Sequence, residues 1–394
     1  MTPAQAVHPA APELPPTPGT PPAVDQVTRR RTGLGLRAHD PALAYRGYTL
    51  ITPSFGGRTT YLIDMDGREV HRWELPWPPG LGSRLTERGT LLYSGRVVDP
   101  RVPFLGTLPF KGGVVAEVAW DGTVLWSVEH PTHHHDAILL RNGNVLLLGL
   151  EEVPAALRHR VRGGVEAQET MYADTLVEMT TTGETVWEWS ASAHLDPDTD
   201  VIGPGPMDRS EWTHANGVLE LPDGDLLLSA RQISTLLVVD RADGAVRRRI
   251  GSGFLAGQHA PSLSGENRVL VFDNGFQRQH PGPPFSRVVE FDLRTGDVLW
   301  TYTDPVPFDF FSALQSGAQR LPGGTTLVCE GLSGRVFEVT PEGATVWEYV
   351  NPYFVTSPLG GDVPAANRMF RALRYSPELI DPLLGAPTTS KEPS

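Results

Sequence analysis

The chain has 394 residues, a formal net charge of −13 and a single cysteine, Cys329. The acidic balance disfavours nucleic acids and anionic membranes as partners, and the sequence contains no apolar run of about 18 residues that would predict a membrane-spanning helix. One cysteine supports neither an intramolecular disulfide nor a cysteine-based zinc site.

In chain order, the first feature is a proline-rich stretch over residues 1–32, which predicts a disordered tail. It lacks the basic segment and apolar core of a secretory signal, so we expect a cytoplasmic protein. We expect one folded domain over residues 33–380 and a flexible tail over 381–394. The 41 glycines and 37 prolines of the chain favour many turns over long helices.

An apolar segment, a glycine turn and a second apolar strand recur six times between residues 61 and 349. The turn glycines are spaced by 47 to 61 residues, at Gly67, Gly122, Gly183, Gly244, Gly296 and Gly343. In four copies a tryptophan follows the glycine by four residues, at Trp126, Trp187, Trp300 and Trp347. Alternating apolar and polar residues around such turns are typical of β-hairpins, and we interpret the tryptophans as blade packing.

A second hairpin precedes most copies, so each unit supplies about four strands. Six such units predict an all-β chain, a six-bladed β-propeller with four-stranded blades. The C-terminal region, residues 351–380, is expected to pack across the propeller, where it either closes the ring or makes a contact in a homo-oligomer.

Histidines precede the second hairpin in three successive units, where the inner strand of a blade meets the central channel. The three segments are THHHD with His133, His134 and His135, THAN with His214 and Asn216, and GQHAP with His259. Arg231 ends the strand that follows THAN, and one short hairpin would fold it back beside His214. If the strands are regular, alternate residues share a face, so His134 would point away from His133 and His135.

These residue types suit the transfer of an anionic group. Neutral imidazole is a nucleophile and a proton acceptor near pH 7, and a guanidinium donates two hydrogen bonds to two oxygens of a sulfate or phosphate. Histidine is also the commonest metal ligand, and three histidines with an acid suit zinc or non-haem iron. A buried histidine that serves only structure is the commoner case for any one of them taken singly.

From about residue 47 to residue 378, the sequence resembles the bacterial arylsulfate sulfotransferases that do not use a nucleotide sulfate donor. The resemblance rests on the blade repeat and on the THAN, SAR and GQHAP segments in that order. It implies a six-bladed propeller and a ping-pong reaction without a cofactor. In that reaction a histidine takes a sulfuryl group from an aryl sulfate and passes it to a phenol, so both partners are small aromatic molecules.

The resemblance also implies roles for individual residues. His259 would be the sulfated nucleophile, His214 and Asn216 would hold the sulfuryl oxygens and the bridging phenolic oxygen, and Arg231 would bind sulfate. The HHHD segment offers one further catalytic histidine, for which we choose His135 over His134 because it abuts Asp136.

Two further assignments complete the predicted site. His134 is kept as a substrate-binding residue, since the sequence leaves open which of His134 and His135 faces the channel. Trp212 is a candidate for stacking an aromatic substrate, with core packing as the alternative. The DNG segment at 273–275 also resembles the family, but we interpret it mainly as a turn.

Two other functions stay open at this stage. A metal-dependent hydrolase, lyase or oxygenase would use His135, His214 and His259 as ligands of a divalent metal. A non-catalytic propeller would use the same side chains to bind a small anion or a partner protein.

Overall fold

The computed structural model describes residues 33–54, 57–102, 110–165, 169–205, 207, 209–356 and 365–385. The predicted N-terminal tail at 1–32 and residues 386–394 of the predicted C-terminal tail lie outside the described residues. The described residues form five four-stranded sheets and one five-stranded sheet, all antiparallel. The fold is the predicted six-bladed β-propeller.

Blades 2 to 5 each take four consecutive strands, whose inner-to-outer order follows the chain. Blade 2 contains β5 (Pro79–Leu85), β6 (Leu91–Arg96), β7 (Gly113–Val118) and β8 (Val124–Glu129). Blade 3 contains β9 (His134–Leu139), β10 (Val145–Glu152), β11 (Tyr172–Met179) and β12 (Thr185–Ser190). Blade 4 contains β13 (Ala215–Glu220), β14 (Leu226–Ala230), β15 (Thr235–Val239) and β16 (Val246–Ile250). Blade 5 contains β17 (His259–Gly265), β18 (Arg268–Asp273), β19 (Arg287–Asp292) and β20 (Val298–Tyr302).

Blades 1 and 6 combine strands from both ends of the described chain. Blade 1 contains β2 (Tyr48–Pro53), β3 (Thr59–Ile63), β4 (Glu69–Glu74) and, as its inner strand, β25 (Met369–Tyr375). Blade 6 contains β21 (Gly317–Arg320), β22 (Thr326–Glu330), β23 (Arg335–Val339), β24 (Thr345–Val350) and, at its outer edge, β1 (Gly35–His39). The C-terminal region therefore closes the ring, which is one of the two placements that the sequence predicts.

The six predicted turn glycines join the third and fourth strands of their blades, and all six have a positive φ. Two of the predicted tryptophans connect neighbouring blades through these turns. Trp300 of blade 5 donates its indole N–H to Pro341 O, 2.9 Å away in blade 6. Trp347 of blade 6 donates to Met65 O, 2.8 Å away in blade 1. Here the interpretation of the tryptophans as blade packing is confirmed.

Helices are short and peripheral. The three α-helices in the described ranges are α1 (Ala155–Arg158), α2 (Ala191–His194) and α3 (Pro377–Leu384), with 3₁₀ turns at Pro307–Asp309 and Gly331–Ser333. The last helix extends past the predicted domain boundary at residue 380, because Ile380 is buried among apolar residues of blades 1 and 2. Within the described ranges, no helix has both the length and the hydropathy needed to cross a membrane.

The inner strands share an irregular start. In five blades the register between the first and second strands shifts there, between Pro79 and Ser83, His134 and Ala137, Ala215 and Val218, His259 and Ser262, and Met369 and Ala372. Left-handed backbone accompanies these shifts, at Leu81, His135, His214 and Ala260. A β-bulge inserts an extra residue and re-aims its side chain, so these positions present side chains that a regular strand would turn elsewhere.

Candidate active site

Four of the predicted site residues come together at the bulged ends of the inner strands. We call them the histidine cluster: His135 of blade 3, His214 and Arg231 of blade 4, and His259 of blade 5. The rings of His135 and His214 lie 5.0 Å apart. His214, His259 and Arg231 lie close enough to His135 to lower its pKa electrostatically. Arg231 and His214 lower the pKa of His259 in the same way. All four side chains are buried.

The His135 ring is held by its own neighbour in sequence. Its Nδ1 lies 2.8 Å from Nδ1 of His134, and its face stacks on Phe110 at 4.6 Å. Adjacent rings could not meet in a regular strand, but His135 has φ of 50° inside the bulge. The predicted alternation is therefore wrong at this point. Burial, with the neighbouring histidines and Arg231 as further causes, lowers the pKa of His135 well below its usual value.

His134 supports this ring and does not line the cluster. Its Nε2 lies 3.1 Å from Gly149 O and 3.1 Å from Asp174 Oδ1, so both of its ring nitrogens are engaged within the protein. His133 is likewise occupied, by Leu148 O and Ser94 Oγ. This geometry corrects the substrate-binding role predicted for His134, because the side chain has no nitrogen left to offer a ligand.

His259 begins β17 and is oriented by Asn274. Its Nδ1 lies 2.7 Å from Asn274 Oδ1, while the Asn274 amide donates to Ser312 O and Gln315 O. The amide oxygen is therefore the atom that faces the ring, so Nδ1 carries the proton and Nε2 keeps its lone pair. Burial and the charge of Arg231 lower the pKa of His259 well below its usual value. The expectation that the DNG segment is mainly a turn misses this contact.

His214 is oriented by a carboxylate that the sequence analysis did not identify. Its Nδ1 donates to Glu211 Oε2 over 2.6 Å. An acid that accepts from Nδ1 fixes the orientation of an imidazole and compensates positive charge that the ring gains. Glu211 lies only three residues before His214, so an acid close to a candidate histidine was the available signal.

Arg231 brings a buried positive charge into this cluster, and Glu211 is the acid that acts on it electrostatically. It follows β14, and its backbone N–H bonds His214 O over 3.3 Å, as the predicted hairpin required. The residue is 7% exposed, and its Nε has no hydrogen-bond partner among the described residues. Those residues also provide no carboxylate within ion-pair distance of its guanidinium. Burial lowers the pKa of Arg231, but a guanidinium remains charged in proteins.

Asn216 bridges blades 4 and 5 beside the cluster. Its amide donates to Gln258 O over 2.7 Å, and its buried Oδ1 has no partner among the described residues. Gln258 is fixed in turn by three hydrogen bonds from its own amide to blade 4. The backbone on either side of the cluster is thus tied together before any ligand binds.

Trp212 is not available to a substrate. It is 0% exposed within an apolar cluster between blades 3 and 4, and its indole N–H donates to Asp200 O over 2.6 Å. The structure therefore corrects the predicted stacking role. The aromatic side chains that do contact the cluster are Phe110 and Phe370, 4.7 Å from the His214 ring and 6.5 Å from the His259 ring.

A second group, of two buried side chains and one half-buried one, lies beside the histidine cluster. We call it the ion-pair cluster: Asp136 of blade 3, Arg84 of blade 2 and Arg371 of blade 1. Asp136 Oδ1 lies 2.8 Å from Arg84 Nη2 and 2.6 Å from Arg371 Nη2. Burial alone would raise the pKa of Asp136, but the two guanidiniums hold it below its usual range. Asp136 therefore does not act on His135, although the sequence places them side by side.

His135, His214 and His259 are the candidate metal ligands of the histidine cluster. Within the described ranges, no group of three or more His, Cys, Asp or Glu side chains is arranged to hold a metal ion. In all three histidines of the cluster, Nδ1 already contacts another side chain, from His134, Glu211 or Asn274.

A family model described as arylsulfotransferase (ASST) matches residues 109–352, which include every member of the histidine cluster. No curated protein matches the chain. Among solved structures, a protein of unknown function from Bacteroides caccae has a TM-score of 0.49 at 14% identity, covering 77% of this chain and 93% of that one. Virginiamycin B lyase from Staphylococcus aureus has a TM-score of 0.39 at 14% identity, covering 69% and 70%. The Neurospora crassa Pan2 WD40 domain has a TM-score of 0.41 at 13% identity, covering 85% and 92%.

Proposed function

The chain belongs to the arylsulfotransferase family, and from that premise we propose that it moves a sulfuryl group from an aryl sulfate to a phenol through a sulfohistidine at His259. The observation that carries this proposal is the buried Arg231 guanidinium with no carboxylate partner among the described residues. A buried charge is costly unless it is paired, so a bound anion is the natural counter-ion here.

The first half-reaction would use the lone pair on His259 Nε2. That nitrogen attacks the sulfur of the aryl sulfate, the N–S bond forms, and the bond from sulfur to the aryl oxygen breaks with the electron pair leaving on oxygen. A low pKa keeps His259 neutral and nucleophilic. Donors whose leaving phenols are acidic need no proton in this step.

Charge on the transferring group would be stabilised by fixed donors. The Arg231 fork suits two sulfuryl oxygens at once, and His214 can donate to another while Glu211 compensates the charge on its ring. The remaining amide hydrogen of Asn216 can add a further bond. Donors held in place before the reaction stabilise developing charge without reorganisation. Phe110 and Phe370 would exclude water, which protects the sulfohistidine from hydrolysis.

The test is mass spectrometry of the intact protein and its peptides after brief incubation with 4-nitrophenyl sulfate, with metal content measured on the same sample. We expect one added sulfo group on the peptide containing His259, lost when a phenol is added. His259→Ala should not form it, whereas His159→Ala, which alters an exposed histidine, should. An active His259→Ala variant would refute the proposal.

The metal-dependent enzyme is the second candidate and predicts a different result. If the wild-type protein forms no adduct and contains about one divalent metal per chain, the histidines are ligands instead of a nucleophile and its neighbours. Binding of arylsulfate without turnover would instead favour a non-catalytic protein.

A further inference from the structure

A chain of three buried side chains leads away from the histidine cluster: His135, His134 and Asp174. His135 Nδ1 lies 2.8 Å from His134 Nδ1, and His134 Nε2 lies 3.1 Å from Asp174 Oδ1. His134 and Asp174 are both fully buried. Neither is used in the reaction proposed above, so the contacts need a reason of their own.

The contacts determine which nitrogens carry protons. Gly149 O can only accept, so His134 Nε2 must donate to it and carries a proton. Asp174 Oδ1 lies 3.1 Å from the same nitrogen and makes no hydrogen bond among the described residues, so its negative charge favours that proton position electrostatically. With that ring neutral, His134 Nδ1 has a lone pair. The facing nitrogen, Nδ1 of His135, must then be the donor. The proton of neutral His135 lies on Nδ1, which leaves the lone pair at its Nε2.

Asp174 also holds the segment that carries His214. Its Oδ2 accepts from the Thr213 hydroxyl and from Ala215 N–H, the latter over 2.7 Å. Both partners are donors, so the oxygen that they contact cannot be exchanged for a nitrogen without loss. Asp174 therefore has one oxygen committed to the backbone of blade 4 and the other directed at His134.

We infer that Asp174 and His134 are positioning residues that keep the His135 proton on Nδ1, so that His135 Nε2 is the proton acceptor in sulfuryl transfer to the phenol. This inference rests on the proposed function. In that step the phenol oxygen forms a bond to sulfur, the bond from sulfur to His259 Nε2 breaks, and its electron pair returns to that nitrogen. The phenol proton passes to His135 Nε2 and then to water.

Asp174→Asn tests the proton assignment directly. The Asn oxygen must stay with Thr213 and Ala215, which places its NH₂ group against His134 Nε2. Two donors would then face each other, which favours moving the His134 proton to Nδ1 and the His135 proton to Nε2. Gly149 O still accepts from Nε2, so we expect a mixture of tautomers instead of a complete reversal.

Nitrogen-15 NMR of histidine-labelled protein distinguishes the two tautomers without any substrate. We expect His135 to carry its proton on Nδ1 in the wild type and to shift toward Nε2–H in Asp174→Asn. The matched control is His133→Asn: His133 is equally buried and bonds a carbonyl of the same strand, but its other nitrogen meets Ser94. This control should leave the His135 signals unchanged. A wild-type His135 protonated on Nε2, or a charged His134, overturns the inference.

Rates of the two half-reactions provide the functional arm. In His134→Leu we expect transfer from sulfo-His259 to a weakly acidic phenol to fall by about 10²-fold, the usual contribution of a general base. Sulfation of His259 by 4-nitrophenyl sulfate should fall much less, because its leaving group needs no proton. His134→Asn keeps an acceptor near Nδ1 and should recover most of the phenol step.

The outcomes separate this inference from the proposed function. Equal losses in both half-reactions, or no recovery in His134→Asn, would mean that His134 serves folding alone. Absence of sulfo-His259 in the wild type would refute the proposed function, while the NMR result still decides whether Asp174 sets the His135 proton. If Asp174→Asn does not fold, His134→Leu and His134→Asn still test the contact between His134 and His135 on which the inference depends.

Discussion

The histidine cluster and the ion-pair cluster share one strand, in which His135 and Asp136 are adjacent. They differ in whether their buried charged groups form ion pairs within the protein. Asp136 meets two guanidiniums from other blades, so each charged group of that cluster lies within ion-pair distance of an opposite charge. The histidine cluster holds Arg231, for which the described residues provide no carboxylate within ion-pair distance. Glu211 acts on Arg231 only at longer range and bonds His214. Charges that pair with one another across blades join those blades, whereas a buried guanidinium without an ion-pair partner among the described residues is suited to binding an anion.

The difference between them arises from the bulge in β9. His135 and Asp136 are neighbours in sequence, but the left-handed backbone at His135 sends the two side chains to different partners. β9 therefore contributes His135 to the histidine cluster and Asp136 to the ion-pair cluster. Variants that disturb one cluster should therefore leave the other largely intact.

The largest effect should come from Asp136→Ala. The substitution removes the carboxylate that pairs with the buried Arg371 and the half-buried Arg84, and removal of one partner of a buried ion pair costs about 3–5 kcal/mol. Urea unfolding should show that loss in the free energy of unfolding. The control Asp66→Ala removes an exposed carboxylate and should change stability by less than about 0.5 kcal/mol. A loss for Asp136→Ala as small as the control would mean that the ion-pair cluster does not hold the blades.

Arg231→Lys should lower kcat/KM for sulfuryl transfer by about 10²-fold, the effect of losing one fixed donor to the transferring group. The charge is kept, but an ammonium cannot present two parallel donors to one sulfuryl group. Initial rates with 4-nitrophenyl sulfate and a phenol provide the measurement. Arg68→Lys, in an exposed ion pair with Asp66, is the control and should transfer normally. Full activity of Arg231→Lys would remove the argument for a bidentate sulfate site.

Glu211→Gln keeps a side-chain oxygen near His214 but removes the negative charge. A hydrogen bond to a charged group is worth about 1.4 kcal/mol more than a neutral one, which corresponds to about a tenfold loss of kcat/KM. The free energy of unfolding should change less than in Asp136→Ala, which can be checked in the same urea experiment. A stability loss without a rate loss would place Glu211 with the structural residues instead.

The smallest effect concerns pH. Burial lowers the pKa of His135 and His259 below the usual 6.5 in the folded protein, so below pH 6.5 the unfolded chain binds more protons. Their contribution to stability is therefore complete above pH 6.5 and is lost as the pH falls, by up to about 1.4 kcal/mol per histidine and pH unit. Unfolding midpoints between pH 5 and 7 should fall less steeply with acid in His259→Asn than in the wild type. Equal slopes would contradict a buried neutral His259.

The fold could be predicted because its information is local. Each blade repeats a hairpin with a glycine turn, as at Gly122 and Gly296, and the hydrophobic alternation on either side survives folding. His214 and Arg231 were brought together correctly for the same reason, since one hairpin separates them.

The rest of the site depends on contacts between distant segments, which leave no local pattern. Asn274 bonds His259 across 15 residues, and Phe370 reaches the cluster from the end of the described chain. The orientations of His134 and His135 follow from a bulge, which breaks the alternation that the prediction assumed. The stacking role predicted for Trp212 is wrong, because the sequence around an aromatic residue near a histidine does not distinguish a side chain in the core from one that faces a ligand.

The closing strand β25 also places a condition on biosynthesis. It supplies Phe370 to the histidine cluster and Arg371 to the ion-pair cluster, and its partner β2 begins more than 300 residues earlier. During translation, blades 2 to 5 can pair strand by strand as they leave the ribosome. Asp136 must wait for Arg371 until the last strand docks. The histidine cluster and the ion-pair cluster are thus completed only when β25 docks, and a nascent chain that stops before Met369 would release an open ring without Phe370 and Arg371.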